Sequence, residues 1–411
     1  MNQQIFNYID KSTDTIVELQ TELTKRPALS PEYEGEGELD KAIFLETWLK
    51  NKGIIELERY DAPDSRVKGG IRPNIVVTIA GKSDTKRLWI ISHLDVVPPG
   101  ELDFWKGDPW TMIYEDGKLI GRGVEDNQHG LCASVLALLS LVKCGIMPPH
   151  TVKLLFVSDE ETGNNYGIKW LLKERNLFRK DDMVLVPDSG DPKGETIEIA
   201  EKSGLRIKFM TKGIQTHASR PDLGVNAYLA GADLTIALHY GLSEKFSERD
   251  PLFQPDYSTF QPTKKEVNVI NVNTIPGEDV FYMDMRILPQ HNIEDVLEEV
   301  NRIKKLIEEK HNVTITYTYR SGKSKATSHN APIVKLLSKA IKDVYDIESK
   351  VIGIGGGTVA AALRNEGLTA VVCGRIHDTA HKSNEYTLVE NILGDAKVMA
   401  LLMLADKNEI V

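Results

Sequence analysis

Five short stretches hold the residues best able to do chemistry: "SHLDVVPPG" (92–100), "GRGVEDNQHG" (121–130), "VSDEETG" (157–163), "VPDSG" (186–190) and "HDTAHKSNE" (377–385). They supply His93, Asp95, Asp126, Asp188, His381 and the run Asp159, Glu160, Glu161. That run follows directly on the apolar residues 154–157, and three adjacent carboxylates repel one another unless a positive charge faces them. Imidazole nitrogen and carboxylate oxygen are donors that zinc accepts, and a pair of zinc ions needs one carboxylate to bridge them. Two histidines and several carboxylates converging on one place make sense as ligands of a divalent cation. A metal is the counter-charge expected here. Taken singly, each stretch is ordinary: "HLD" a surface or core histidine, "EE" a solvated turn, "GRG" a tight turn, "HKSNE" a loop. Their convergence would make them a site.

The elements must therefore bring them together. The apolar strands "NIVVTIA" (74–80), "RLWIISH" (87–93), "TVKLLFVS" (151–158) and "DMVLVPD" (182–188) alternate with amphipathic helices. The clearest helix, "GLCASVLALLSLVKCG" (130–145), stops on Gly145, a residue suited to the left-handed position after a helix. This alternation predicts an α/β fold with a largely parallel sheet, in which ligands collect beyond the carboxyl ends of the strands. His93 and Asp95 stand at the end of strand 87–93, Glu160 and Glu161 just past 151–158, and Asp188 at the end of 182–188. Asp126 lies in a turn before a helix, and His381 follows the apolar run 368–373. Region 204–320 differs. It reads as strand "LRIKFMTKG", helix "NAYLAGADLTIALHYG", strands "VNVINVN" and "DVFYMDMRIL", helix "IEDVLEEVNRIKKLIEEK" and strand "VTITYTYR". That order is the β-α-β-β-α-β, ferredoxin-like pattern. The expected organisation is a catalytic domain of 1–203 and 322–411, interrupted by an inserted domain of 204–321. No internal repeat or low-complexity segment is present.

With "QTHASRPDLGVNA" (215–227) added, the set resembles the M20 metallopeptidase family over nearly the whole chain. That group includes succinyl-diaminopimelate desuccinylase, acetylornithine deacetylase, aminoacylases, carboxypeptidases and dipeptidases. The resemblance implies a zinc-peptidase-like mixed sheet flanked by helices, with an inserted ferredoxin-like α+β lid or dimerisation domain. It implies two Zn2+ per subunit, with Co2+ or Mn2+ as alternatives. Asp126 would be the shared ligand, His93 and Asp188 would complete one site, and Glu161 and His381 the other. Glu160 matches the general base, and Asp95 would accept the free N–H of His93. His217 would reach the partner subunit's active site and stabilise the oxyanion, which requires a homodimer. Arg286, assisted by Asn273, would clamp a substrate carboxylate, and Gly356, Gly357 and Thr358 of "GIGGGT" (353–358) could cradle it; a tight turn is the other reading. A cis peptide at Asp126–Asn127 is also implied.

The implied function is hydrolysis of the amide bond in a small N-acyl amino acid, with a dipeptidase or other small-peptide exopeptidase as the alternative. Three departures bear on substrate. "GIGGGTVAAAL" stands where desuccinylases carry an S-G-G-T-S-D-G-R-F type loop. Asp188 stands where desuccinylases and carboxypeptidases carry Glu, as in the dipeptidase and aminopeptidase branches. "DNQHG" replaces D-x-K-G and introduces His129, expected to face solvent on the first helical turn. A non-catalytic binding protein on the same scaffold would be expected to have lost ligands or base, and here all are present.

Composition excludes other classes. The chain has 411 residues, 41% hydrophobic and 27% charged, as an ordinary globular protein does. A net charge of −10 argues against a nucleic-acid or anionic-membrane partner. No apolar run approaches the roughly 20 residues that span a bilayer, and "MNQQIFNYIDKSTD" has neither a basic start nor an apolar signal core. Cys132 and Cys144 share the predicted helix, too far apart for a disulfide, and only Cys373 remains. A reducing cytoplasm fits this cysteine usage best.

Overall fold

The computed structural model describes residues 2–406. The chain forms two compact units: Met1–Ile199 with Thr327–Ile352 and Thr358–Val411, and Ala200–Ala326 with Gly353–Gly357.

The first unit is built on an eight-stranded mixed sheet. Its strand order is Leu57–Pro63, Ile71–Ile79, His150–Val157, Ser83–His93, Met183–Val186, Thr369–Val372, Thr196–Glu201, Lys350–Ile354. The strands His150–Val157, Ser83–His93, Met183–Val186 and Thr369–Val372 run parallel to one another. The sheet is less parallel than the sequence suggested, because Ile71–Ile79 is antiparallel to both neighbours. Residues 80–82 alone link it to the next strand, too short a connection for a parallel crossover. Within the parallel block, His93 pairs with Val157, Ile90 with Leu185 and Val372 with Val186. The loops leaving these strands therefore emerge side by side at one edge.

Helix Gln128–Lys143 is buried on every face from Gln128 to Leu141, the pattern of a helix inside a core rather than on a surface. It packs against Val389–Leu404. Its end has two reciprocal bonds, from Gly145 N–H to Val142 O at 3.1 Å and from Ile146 N–H to Leu141 O at 2.9 Å. Gly145 stands at φ 65°, so this is a Schellman stop, as "KCG" predicted. Cys132, Cys144 and Cys373 are all free thiols.

The second unit is a four-stranded antiparallel sheet of order Thr259–Lys265, Glu278–Ile287, Ser203–Lys212, Thr314–Gly322. Alternation sends Leu205, Ile207, Phe209, Phe281, Met283, Met285 and Ile287 inward against helices Ala227–Lys245 and Ile293–His311. One expected strand, 267–273, does not form. Its alternating apolar residues have nothing to pack on: Val267, Ile270 and Val272 are 90%, 100% and 103% exposed. Thr259–Lys265 fills that sheet edge instead, and its Pro262 is tolerated there beside a register shift between Pro262 and Lys264.

Candidate active site

His93 is buried at the carboxyl end of its strand, where Leu94 N–H donates to Val157 O at 2.8 Å. Its Nδ1 lies 2.9 Å from the backbone carbonyl of Asp95, so Nδ1 is the nitrogen that carries the proton there. Nε2 is left facing two carboxylates, Asp126 Oδ1 at 2.9 Å and Asp188 Oδ1 at 3.4 Å. On the other side, His381 Nε2 lies 3.1 Å from Asp126 Oδ2 and 3.2 Å from Glu161 Oε2. The two oxygens of Asp126 are thus divided between two imidazoles. Donor atoms of His93, Asp126 and Asp188 lie within 4.8 Å of one another, and so do those of Asp126, Glu161 and His381. Gly123 admits the turn that delivers Asp126: it stands at φ 85°, and a Cβ there would meet Val96 at 2.6 Å. The Asp126–Asn127 peptide is cis.

The opening run of carboxylates divides its loyalties. Asp159 stands at φ 64° and turns inward, 3.6 Å from the buried guanidinium of Arg72, which also pairs with Glu38. A guanidinium, rather than a metal, is its counter-charge. Glu160 and Glu161 stay at the rim, where no lysine or arginine pairs with them among the described residues. Their backbone N–H groups both donate to the Asp95 carboxylate, at 3.0 Å each. This corrects the expected role of Asp95. Its carboxylate sits 3.6 Å from His93 Nδ1 and instead holds the Glu160–Glu161 turn, while its carbonyl orients the imidazole.

The electrostatics report an excess of buried negative charge. Burial, then the neighbouring Asp188, pushes the Glu160 carboxyl well above its ordinary range. Burial and then Asp126 push Glu161 up to about 7. Burial opposes protonation of His93, but Asp188 and Asp126 outweigh it and raise the imidazole. Hydrogen bonds to Asp126 and Glu161 push His381 up to about 10. A cluster that draws protons onto both its acids and its bases is one whose charge a divalent cation would balance. The donors fit such a group. Two imidazole nitrogens and carboxylate oxygens converge, and Glu161 keeps a buried oxygen, Oε1, with no hydrogen-bond partner.

The remaining predicted residues lie outside this cluster. His217 is exposed in the second unit, in a short ladder opposite Thr274. Its Nδ1 accepts the Ser219 backbone N–H at 3.1 Å, so Nε2 is the nitrogen able to donate outward. Asn273 adjoins it, its carbonyl accepting from Ala218 N–H at 2.9 Å. Arg286 is held by Asp284 at 2.6 Å and donates to Gly355 O at 3.0 Å, which brings it beside Gly356 and Gly357. Thr358 caps the next helix, accepting from Ala360 N–H at 3.1 Å.

His129 does not face solvent. It is fully buried, with Nδ1 2.7 Å from Thr387 Oγ1 and Nε2 2.8 Å from Asp395 Oδ2. The helix start is covered by the chain's last helix, which a local reading of "DNQHG" could not see. Sequence reasoning also passed over the side chain of Asn127, whose amide donates to Asp188 Oδ1 and to Pro187 O, and over Glu125 and Glu385, although it quoted the motifs holding all three.

Comparison with known proteins bears directly on this cluster. Residues 89–405 match the sequence model described as Peptidase family M20/M25/M40. An uncharacterized metallohydrolase of Methanocaldococcus jannaschii is 41% identical over 402 residues, covering 93% of this chain and 97% of that protein. The succinyl-diaminopimelate desuccinylase of Ehrlichia canis is 31% identical over 314 residues, covering 74% of this chain and 78% of that one. The structure of the di-peptidase Dug1p from Saccharomyces cerevisiae matches with a TM-score of 0.76 at 17% identity, over 98% of each chain, a likeness of fold. Two triads that share Asp126 and could hold metal ions stand on the mixed sheet of a chain that, on these matches, belongs to the M20/M25/M40 peptidase family of metallohydrolases.

Proposed function

We propose that the chain is a dinuclear, zinc-dependent amidohydrolase acting on small N-acyl amino acids. The observation that carries this reading is the division of the Asp126 oxygens between His93 and His381. Asp126 with His93 and Asp188 would hold one ion, and Asp126 with Glu161 and His381 the other. An all-nitrogen-and-oxygen donor set suits Zn2+, with Co2+ or Mn2+ as substitutes. When bound, such ions supply Lewis acidity to the scissile carbonyl and the attacking water.

The chain's own groups do the rest. Glu160, ionised, takes one proton from the attacking water as its oxygen bonds to the carbonyl carbon. It then gives that proton to the leaving nitrogen as the C–N bond breaks, and the water's second proton passes from the new carboxyl group to the amine, so the products are a carboxylate and an ammonium group. The Asp95 carboxylate, through the Glu160 and Glu161 backbone N–H groups, fixes the turn that carries this base. His217, with Nε2 carrying the proton, would donate to the developing oxyanion of the partner subunit in a homodimer. Tyr228, Leu229, Ile236 and Tyr240 of helix Ala227–Lys245 are exposed, an apolar stripe that suits such an interface.

A substrate carboxylate is supported by the open face of the second unit's sheet. Register places Asp284 beside Arg206, Arg206 beside Arg320, and Tyr282 beside Lys208, with Arg286 two residues along on the same face. Arginines outnumber the acid among them, on a chain whose net charge is −10. Cytoplasmic action fits the free thiols, and no described helix is long and apolar enough to cross a membrane.

The second reading is a dipeptidase, favoured by Asp188 at the ligand position and by the di-peptidase likeness in fold. A turnover screen of the metal-loaded chain separates the two. N-acyl amino acids hydrolysed faster than dipeptides support the first, and the reverse order supports the second. Turnover of neither, with metal bound, overturns both.

A further inference from the structure

We infer that Glu125 and Glu385 are positioning residues, a reciprocal pair of buried carboxylates that fixes the loop carrying Asp126 against the loop carrying His381. The inference rests on the dinuclear reading above and concerns residues that the mechanism does not use.

Each carboxylate stands in one ligand loop and grips the backbone of the other. Glu385, four residues after His381, is fully buried. Its Oε1 accepts the backbone N–H of Glu125 at 2.9 Å and of Asp126 at 3.0 Å. Its Oε2 accepts Gly123 N–H at 3.1 Å and the Arg122 guanidinium at 2.5 Å. In return Glu125, the neighbour of Asp126, accepts His377 N–H at 2.9 Å through Oε2 and Thr379 N–H at 2.5 Å through Oε1. Thr379 Oγ1 then closes its own loop, donating to Tyr386 O at 2.8 Å.

The second loop has reason to need such a grip. Asp378, His381 and Asn384 stand at φ 56°, 64° and 55°, a left-handed region that residues with a Cβ seldom occupy unless held. No strand or helix lies between residues 373 and 385 to hold them. The Arg122 guanidinium balances the charge of Glu385, whereas no lysine or arginine pairs with Glu125 among the described residues. For Glu125, a neutral amide or hydroxyl could accept these N–H groups, whereas a carboxylate adds negative charge beside a cluster already rich in it, at a desolvation cost. Charge-assisted bonds to backbone N–H are shorter and stronger, and they fix position more closely. Gly121 N–H also donates to the Glu385 carbonyl at 3.0 Å, where the neighbouring strands pair Ile120 with Tyr386. The reciprocal bonds of the two loops hold His381 Nε2 at 3.1 Å from Asp126 Oδ2, the spacing that makes the second triad.

The roles differ in a way that binding can read. Glu385 secures Asp126, which serves both triads, whereas Glu125 secures only the loop of His381. The test is titration of the metal-free full chain with Zn2+ against a chelator of known affinity, comparing wild type, Glu125→Gln and Glu385→Gln. Cooperative melting of each metal-free variant is measured alongside. The expected result is two equivalents for wild type. Glu125→Gln should keep one tight equivalent while the other weakens at least tenfold, and Glu385→Gln should weaken both. Variants that melt cooperatively and bind both equivalents with wild-type affinity overturn the inference. So does a weakening that matches only the fraction unfolded. If Glu385→Gln does not fold, Glu125→Gln decides alone. Wild type taking up a single equivalent contradicts the dinuclear reading instead. The clamp is still decided there, since Asp126 serves either triad and Glu385→Gln must then weaken that one ion.

Discussion

Glu160 carries the sharpest consequence of the site. Glu160→Gln keeps size and hydrogen-bonding capacity but cannot accept a proton, so turnover should fall by at least about 100-fold. Metal content, measured on the same sample by atomic emission, should not change; activity within a factor of about ten of wild type would remove Glu160 from the base role. A second consequence concerns protons. In the metal-free chain burial and then Asp126 push Glu161 up to about 7, and hydrogen bonds to Asp126 and Glu161 push His381 up to about 10. At pH 6 both hold a proton that an incoming cation must displace, whereas at pH 8 Glu161 has largely lost its own. Cation affinity therefore rises with pH, and the protons released on binding should fall by about one between pH 6 and pH 8. Calorimetry in two buffers of different ionisation heat measures that number, and equal release at both pH values would contradict it. The residues that converge in the two triads were legible in sequence because imidazoles and carboxylates placed past strand ends gather at one edge of an α/β sheet. Asp159, Asp95 and His129 were misread for one reason: their partners, Arg72, the Glu160–Glu161 backbone and Asp395, come from elsewhere in the chain or from its main chain.

At the scale of elements, apolar runs that end up buried on both faces were readable, as in Ser83–His93 and His150–Val157. The segment 267–273 shows the limit. Its alternation looks like a half-buried strand, yet alternation states which residues could be buried and not whether a sheet exists to bury them. The true edge strand, Thr259–Lys265, contains a proline and two lysines and so hides its assignment. Sheet direction was also beyond periodicity, since it depends on how few residues join Ile71–Ile79 to Ser83–His93. The helix stop at Gly145 was legible and has a measurable value. A Cβ there meets nothing within 4 Å, so Gly145→Ala carries only the cost of a left-handed φ. Stability by denaturant midpoint should drop by about 1 kcal/mol, with turnover unchanged. No drop would mean that the stop does not use the left-handed position.

For the whole molecule, the central proposals are a dimer and a two-ion site. If His217 serves the partner subunit, His217→Ala and Glu160→Gln should each abolish activity. Co-refolded mixtures should then recover part of it, because one site in each hybrid dimer keeps both groups. Absence of recovery in demonstrably mixed dimers would assign His217 to its own subunit or to no site at all. Beneath that proposal lies the claim on which the chemistry depends, that Asp126 is shared by two ions. The most direct measurement is an anomalous difference map from crystals of the zinc-loaded chain, collected on either side of the zinc absorption edge. The account predicts two peaks about 3.5 Å apart, one beside His93 and Asp188, the other beside Glu161 and His381, with Asp126 between them. A single peak, or two peaks that leave Asp126 outside, would contradict it.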